Sequence, residues 1–319
     1  MFRAMSVKLS YTAIAPCSTA NLGPGYDVFG LALDALDDKV KVTTASPAGG
    51  RITIKTNDQA LPVMPDSNSA GLVVKKMMHD FEICDSIDIE VIKGVPAGYG
   101  IGSSAASAAA AAVAFNALYD LKIDKNRLVE YAAEGEVASA STRHYDNVCA
   151  SLLGGFVVCH IANHMPPQFM RFEPPRDLVL IVAVPWLEVP TKKTKIARSV
   201  LPKEVPLKSL VHNISGAATI VAGFALKDVE TIASGIDDVI IESARKHLIP
   251  GYDDIKHNAI SAGALAVTIS GAGPSMIAFL KTSKNAKKVA AAMSEGFEAV
   301  GVKSRTLVCQ SSKGARLLT

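Results

Sequence analysis

The feature that most constrains this chain is a strand, a glycine loop and an alanine-rich helix in immediate succession. In SIDIEVIKG, Ile87, Ile89 and Val91 alternate with Asp88, Glu90 and Ile92, which predicts a half-buried strand. It runs into the loop Val95 to Ser104, with glycines at 98, 100 and 102, and then into SSAASAAAAAVAF. Three glycines in five positions let backbone N–H groups approach an anion without hindrance from Cβ. The helix that follows offers a positive N-terminus and unpaired amides. Phosphate binding is one reading of the loop; a turn that lets helix and strand pack closely is the other. Neither common phosphate signature is met. Ser103 stands where GxxxxGK[ST] requires Lys, and again where the last glycine of GxGxxG would fall.

The run from Gly94 to Tyr119 is charge-free over a membrane's length. It opens with Gly, Pro and Ser, and its longest unbroken apolar segment, Ala108 to Phe115, is far short of the ~20 residues of a span. It therefore reads as a buried helix of a soluble protein. Hydrophobic residues at 49% and charged residues at 20% exclude a disordered chain. The 319 residues suffice for about two domains. A net charge of +3, from 33 basic and 30 acidic side chains, argues against a nucleic-acid binder. Cys17, Cys84, Cys149, Cys159 and Cys309 form no CxxC pair. Neither a zinc site nor a disulfide framework is expected, and a reducing cytoplasm fits. The start, MFRAMSVKLSYTAIAPC, has no sustained apolar region of the export type.

Val40–Ala45 and Arg51–Thr56 are β-rich and joined by SPAGG, which predicts a hairpin. Residues 68–81 carry helical spacing. A second helix is expected from its N-cap Asp124 to about Ser141, and a strand over Leu153–Ile161. The Pro-rich segment NHMPPQFMRFEPPR predicts a junction, giving domains over 1–171 and 172–319. Beyond it, strands at Leu178–Val184, Leu265–Ser270, Met276–Leu280 and Lys303–Gln310 mix with helices at Lys192–Leu201, Leu207–Ala225, Lys227–Gly235, Asp254–Ala262 and up to about Ala299. The class is α+β.

Two further glycine turns stand out: ANLGPGYD, from Ala20 to Asp27, and SGAGPS, from Ser270 to Ser275. The second could be a tight hairpin alone; three such turns together make a phosphate and substrate pocket plausible. On the helix after Asp124, Leu128, Ala132, Glu136 and Ala140 share one stripe at four-residue spacing. A carboxylate within an apolar stripe needs a partner. That partner is an Arg or Lys, or a hard cation such as Mg²⁺ held with a Ser hydroxyl and phosphates. RHYDN packs His144, Asp146 and Asn147 just before the apolar LLGGFVV, read as their strand. Arg198 and Arg245 are candidates whose default is a solvated helix face.

Taken together, these segments resemble the homoserine kinases, a branch of the GHMP superfamily of small-molecule kinases. PCSTANLGPGYDVFGLAL is similar to their first motif, PAGYGIGSSAASAAA to the phosphate-binding second and SGAGPSMIAF to the third. RHYDNVCASLLGGF, TKIAR and Arg245-x-x-Leu-Ile-Pro-Gly resemble elements of the homoserine branch. The resemblance implies an N-terminal domain with a left-handed βαβ unit and a C-terminal ferredoxin-like domain, with the active site between them. It also implies transfer of phosphate from ATP to the side-chain hydroxyl of L-homoserine, for threonine synthesis. By position, Pro96, Ala97, Gly98, Tyr99, Gly100, Ile101, Gly102, Ser103, Ser104, Ala105, Ala106 and Ser107 would hold the ATP phosphates, with Thr194 nearby. Ser104 (or Ser103) and Glu136 would hold Mg²⁺. Asn21, Asp27, His144, Asp146, Arg198, Arg245 and Gly271 would surround homoserine, and Asn147 would lie near its reacting hydroxyl. Ala97-Gly98-Tyr99 stands where this family often has a basic residue. No general base is expected, in keeping with the branch resembled. A homodimer is expected, with no nucleic acid or membrane among its partners. The alternatives are a shikimate- or mevalonate-type kinase, a catalytically silent ligand sensor on the same fold, and an RNA-binding module, which the charge balance disfavours.

Overall fold

The computed structural model describes residues 9–45, 49–140, 143–162, 165–190 and 193–318. Most of the SPAGG turn, the start of the junction at Asn163, Lys192 and the helix end at Ser141 lie outside the described residues. In chain order the first half comprises β1 (Ser10–Ala20), β2 (Phe29–Thr44), β3 (Ile52–Thr56), α1 (Ser69–Asp80), β4 (Ile87–Ile92), α2 (Ser103–Leu118), α3 (Lys125–Ala140), α4 (Asp146–Leu153), β5 (Phe156–His160) and β6 (Gln168–Phe172). The second comprises β7 (Val179–Pro185), α5 (Lys193–Ser199), α6 (Leu207–Leu226), α7 (Val229–Ser234), α8 (Ile241–Arg245), α9 (Tyr252–Ser261), β8 (Ala266–Ile269), β9 (Met276–Leu280), α10 (Ala286–Glu298), β10 (Ser304–Cys309) and β11 (Arg316–Leu317).

The first sheet runs β11-β1-β2-β4-β3, with β5 joining β2 and β6 joining β5. The expected hairpin between the second and third strands is not there. β4 inserts between them, antiparallel to β2 and parallel to β3. Parallel neighbours need a crossover, and α1 supplies it. Asn68 caps α1 by accepting from the amides of Ala70 and Gly71 at 3.0 and 3.2 Å. Asp124 caps α3 in the same way through Asn126 and Arg127.

The expected junction also carries structure: β6 lies within it and pairs with β5. The second sheet, β10-β7-β9-β8, is antiparallel throughout. Its strand β7 is buried on both faces. Leu180, Val182 and Val184 meet Leu22, Phe29 and Phe156 of the first half, while Val179, Ile181 and Ala183 pack on α9 and α10. The last strand, β11, then returns to β1 of the first sheet.

Alanine explains how α2 fits at the centre. Ala108 to Ala112 are all fully buried against the first sheet and its covering helices. On α3, a Cβ at Gly135 would stand 2.7 Å from that of Ala108. The helix expected over Leu207–Ala225 forms α6, and its charge-free run 209–226 was not weighed as a membrane span beside that of Gly94 to Tyr119. Among the described residues it is the one helix long and apolar enough to cross a membrane. Here it packs through Gly216 and Gly223 onto α7 and its flanking turn, and Phe224 stacks on Phe156 at 3.8 Å between centroids.

RHYDN does not lead straight into a strand. Asp146 is the first residue of the helix α4, where an acid favours the helix start; its carboxylate accepts from the Asn147 amide at 2.7 Å, and the start of α4 rests on β2. At Gly30 of β2, a Cβ would stand 2.1 Å from the Asp146 carbonyl oxygen. Gly30→Ala is therefore expected to force α4 off the strand. Overpacking of this kind costs about 1–3 kcal/mol, to be read as a lower midpoint in urea unfolding. An unchanged midpoint would mean that α4 is free to shift.

Candidate active site

The three glycine turns meet in space. Ser18 N–H donates to Ile101 O at 3.2 Å, and Gly271 N–H donates to Ala20 O at 3.2 Å. Asn21 Nδ2 donates to Gly271 O at 2.7 Å, and Ser275 N–H to Tyr99 O at 3.2 Å. Ser270 Oγ donates to Gly100 O at 2.8 Å and sits 2.9 Å from Thr19 Oγ1. Gly100 and Gly102 have φ of +78° and +69°, where a side chain is strained. A Cβ at Gly100 would stand 2.4 Å from Ser270 O, and one at Gly102 would stand 2.0 Å from Ser18 Oγ. Gly102 is also the N-cap of α2 and provides no side-chain cap. The first amides of α2 thus remain available at the head of a cleft of about 740 Å³.

A buried ion pair holds the loop from behind. Asp38 on β2 pairs with Lys93 and accepts from the amides of Gly94 and Val95, both at 3.0 Å, and from Ser107 Oγ at 2.7 Å. Lys93 Nζ donates in turn to Ser103 O at 2.9 Å. Burial pulls Lys93 below its ordinary range, opposed by Asp38. Such a pair fixes geometry rather than adding much stability, since desolvation offsets most of the attraction. The sequence reading did not single out either residue. Their only signal was a Lys ending a strand just before the glycine loop.

Ser104, not Ser103, faces Glu136. Ser104 Oγ donates to Glu136 Oε1 at 2.6 Å, whereas Ser103 Oγ turns inward to Val95 O at 2.8 Å. Glu136 is 7% exposed and its carboxyl is raised to about 7. Burial is the main cause, Ser104 and Lys93 act against it, and Asp146 adds to it. A carboxylate so placed, beside a hydroxyl, is a hard-oxygen donor pair whose charged form gains from a cation. Among the described residues no cluster of three or more His, Cys, Asp or Glu forms a metal cage. A pair completed by substrate oxygens and water suits a small divalent ion.

Across the cleft, charges of both signs converge. Arg198 Nη2 donates to both oxygens of Asp27 at 2.7 and 2.8 Å and lies 3.1 Å from His144 Nδ1. Its Nε is buried with no hydrogen-bond partner among the described residues. Arg245, 3% exposed, donates from Nε to Ala197 O at 2.9 Å. Both guanidinium groups lie over the Tyr26 ring, at 5.3 and 5.0 Å from its centroid. Asp146 is buried, and burial together with the charge of Asp27 pushes it up to about 6. Asn147 Oδ1 accepts from Ser18 Oγ at 3.0 Å, which ties the start of α4 to the glycine loop.

Residues 68–155 match the GHMP kinases N terminal domain, and residues 220–299 match GHMP kinases C terminal. A homoserine kinase of Thermoplasma volcanium is 38% identical over 92% of this chain and 92% of its own length. One of Methanococcus vannielii is 39% identical over 84% and 86%. The chain belongs to the homoserine kinase family. The crystal structure of homoserine kinase from Cytophaga hutchinsonii has the same fold at a TM-score of 0.90 and 35% identity, covering 100% of this chain and 99% of that one.

Of the residues expected at the site of this family member, most line the cleft. They are Asn21, Asp27, Ala97, Gly98, Gly100, Gly102, Ser103, Ser104, Ser107, Glu136, His144, Asp146, Asn147, Thr194, Arg198, Arg245 and Gly271. Five do not. Ile101, Ala105 and Ala106 are buried in the cores on either side of α2, because a helix and its entry turn can present only one face to the cleft. Pro96 is off the wall, and Tyr99 points away to donate from its hydroxyl to Leu187 O at 3.0 Å. Arg198 and Arg245, for which solvated faces were the default, are instead turned inward. Lys193 joins the wall as a residue not foreseen, with no signal in TKKTKIAR to set it apart from its neighbours.

The raised Glu136 carboxyl has a thermodynamic signature. An unfolded Glu titrates near ~4.3, so between that value and about 7 the folded chain holds the extra proton. Stability must then fall as pH rises through this window. EDTA-treated wild type is expected to lose stability relative to Glu136→Gln over that range, by up to about 3 kcal/mol at pH 8 in urea titrations. A difference that stays flat with pH would show that the carboxyl is already compensated.

Proposed function

We infer that this chain transfers the γ-phosphoryl group of ATP to the side-chain hydroxyl of L-homoserine, giving O-phospho-L-homoserine. The observation that carries the choice of substrate is the wall opposite the glycine loop. Two arginines and two acids, Asp27 and Asp146, share one small region there. A zwitterionic amino acid needs both signs: arginines for the α-carboxylate and a carboxylate for the ammonium. Shikimate and mevalonate carry a carboxylate but no ammonium, and would bring no counter-charge to Asp146, since Asp27 already has Arg198. The full set of loop glycines, Ser104 and Glu136 counts against a silent sensor.

In phosphoryl transfer, positioning and charge neutralisation do most of the work. The α2 amides and the loop from Gly98 to Ser104 would receive the phosphates, with Thr194 beside them. Ser104 and Glu136 would hold Mg²⁺, which supplies neutralisation of the phosphate oxygens. The Asp38–Lys93 pair keeps the loop in its receiving shape. Arg198 and Arg245 would take the α-carboxylate, and Arg198 Nε is a donor ready for it. Asp146, with Asp27 and Asn21, would take the ammonium side. Asn147, tied to Ser18, would orient the attacking hydroxyl toward the α2 terminus.

Purified protein with Mg²⁺-ATP is expected to phosphorylate L-homoserine, and EDTA is expected to stop it. Faster turnover of shikimate or mevalonate at matched concentration would overturn the assignment.

Arg198→Met and Arg245→Met are each expected to lower kcat/KM roughly 10- to 100-fold, the scale of one charged hydrogen bond. Lys should restore only part, because the planar guanidinium can give two parallel hydrogen bonds and an ammonium cannot. Both variants should also narrow the preference for homoserine over an analogue without the carboxylate. Retention of the full preference in both would place the carboxylate elsewhere.

A further inference from the structure

The loop that would receive the triphosphate carries no cation of its own: residues 94–107 contain neither Lys nor Arg. Four Lys and Arg side chains line the cleft among the described residues: Lys93, Lys193, Arg198 and Arg245. Lys93 is neutralised by Asp38 and Arg198 by Asp27. Arg245 lies over Tyr26 and holds Ala197 O. Like Arg245, Lys193 pairs with no carboxylate among the described residues. It opens α5, and its ammonium donates to the carbonyl of Gly273 and to no aromatic face. That carbonyl faces the glycine loop directly, for a Cβ at Gly100 would stand 2.5 Å from it. The ammonium is therefore one carbonyl away from the middle glycine of the loop, on the opposite wall.

We propose that Lys193 binds the outer phosphates of the triphosphate substrate, leaving Gly273 O for phosphate oxygens and closing the loop's charge deficit from the second half of the chain. The proposal rests on the reading of the cleft as an ATP site. An ammonium held by one neutral carbonyl is poorly compensated for its desolvation. Burial and the nearby Arg245 pull it down to about 7, the sign of a position where added negative charge is favoured. Exchange of a neutral acceptor for a phosphate oxygen roughly doubles the strength of its hydrogen bond. A compact ammonium suits the task, since it can follow a group that moves from donor to acceptor, whereas a guanidinium imposes a fixed plane.

The test compares wild type, Lys193→Met and Lys193→Arg for binding of inorganic tripolyphosphate and of AMP by calorimetry, alongside steady-state kinetics. For Lys193→Met, tripolyphosphate should bind at least ~10-fold more weakly, as for one lost charged hydrogen bond, while AMP affinity stays unchanged. Turnover should fall by a similar or larger factor with the KM for homoserine unaltered, and Arg should recover part of both losses. If Lys193 only braces the Gly273 turn, AMP and tripolyphosphate lose affinity together, the unfolding temperature drops, and the proposal is overturned. Unchanged tripolyphosphate affinity also overturns it. Wild type that binds tripolyphosphate in this Lys193-dependent way yet leaves homoserine untouched would defeat the substrate assignment and leave this inference standing. Normal homoserine phosphorylation with full affinity in Lys193→Met would do the reverse.

Discussion

Everything at the site depends on backbone brought closer than any side chain allows. Gly100 and Gly102 adopt left-handed φ values and lie against Ser270, Gly273 and Ser18 with no room for a Cβ. That contact lets the turn after β1, the loop before α2 and the turn between β8 and β9 share hydrogen bonds. It also frees the α2 amides from any side-chain cap, so that they address the cleft. The glycines are thus less a flexible element than a means of fitting three backbones into one layer, with the apolar seam of Leu180, Val182 and Phe156 beneath them.

Around this layer the charges fall into two kinds. Asp38 and Lys93 neutralise each other out of solvent and serve to hold the loop. Glu136, Asp146 and Lys193 stand on the cleft wall, where burial drives each toward its neutral form. Groups desolvated this far, on the wall of one cleft, gain most when a ligand of opposite charge arrives. A cation beside Glu136, an ammonium near Asp146 and a phosphate near Lys193 would each relieve such a cost. The three demands together describe a metal-bound polyphosphate and an amino acid, the pairing proposed here.

Several parts of this were readable along the chain because they depend on local pattern. The alternation of Ile87, Ile89 and Val91, the cap at Asp124 and the glycine spacing each follow from the geometry of one strand, helix or turn. Glu136 could be picked out because a helix places every fourth residue on one stripe, and the structure buries it as the stripe demands. The third turn was read both as hairpin and as pocket element. It is both, joining antiparallel β8 and β9 and touching the other two turns.

What the sequence could not decide was whatever depends on which segments become neighbours. SPAGG between two β-rich runs has the local chemistry of a hairpin, yet β4 takes the place beside β2, because α1 carries the chain across. Asp146 and Asn147 were expected before a strand and instead start α4, seated on the space that Gly30 leaves. Nothing in TKKTKIAR separates Lys193 from the lysines beside it; the fold of β8 and β9 brings Gly273 to its ammonium. The sequence by itself determined the local elements, the glycine turns and the resemblance to a kinase family. Only tertiary structure decided that Ser104 and not Ser103 meets Glu136, and that Asp38 anchors the loop. Side-chain direction and long-range contact are set by packing across residues far apart in the chain, a quantity that no local pattern encodes.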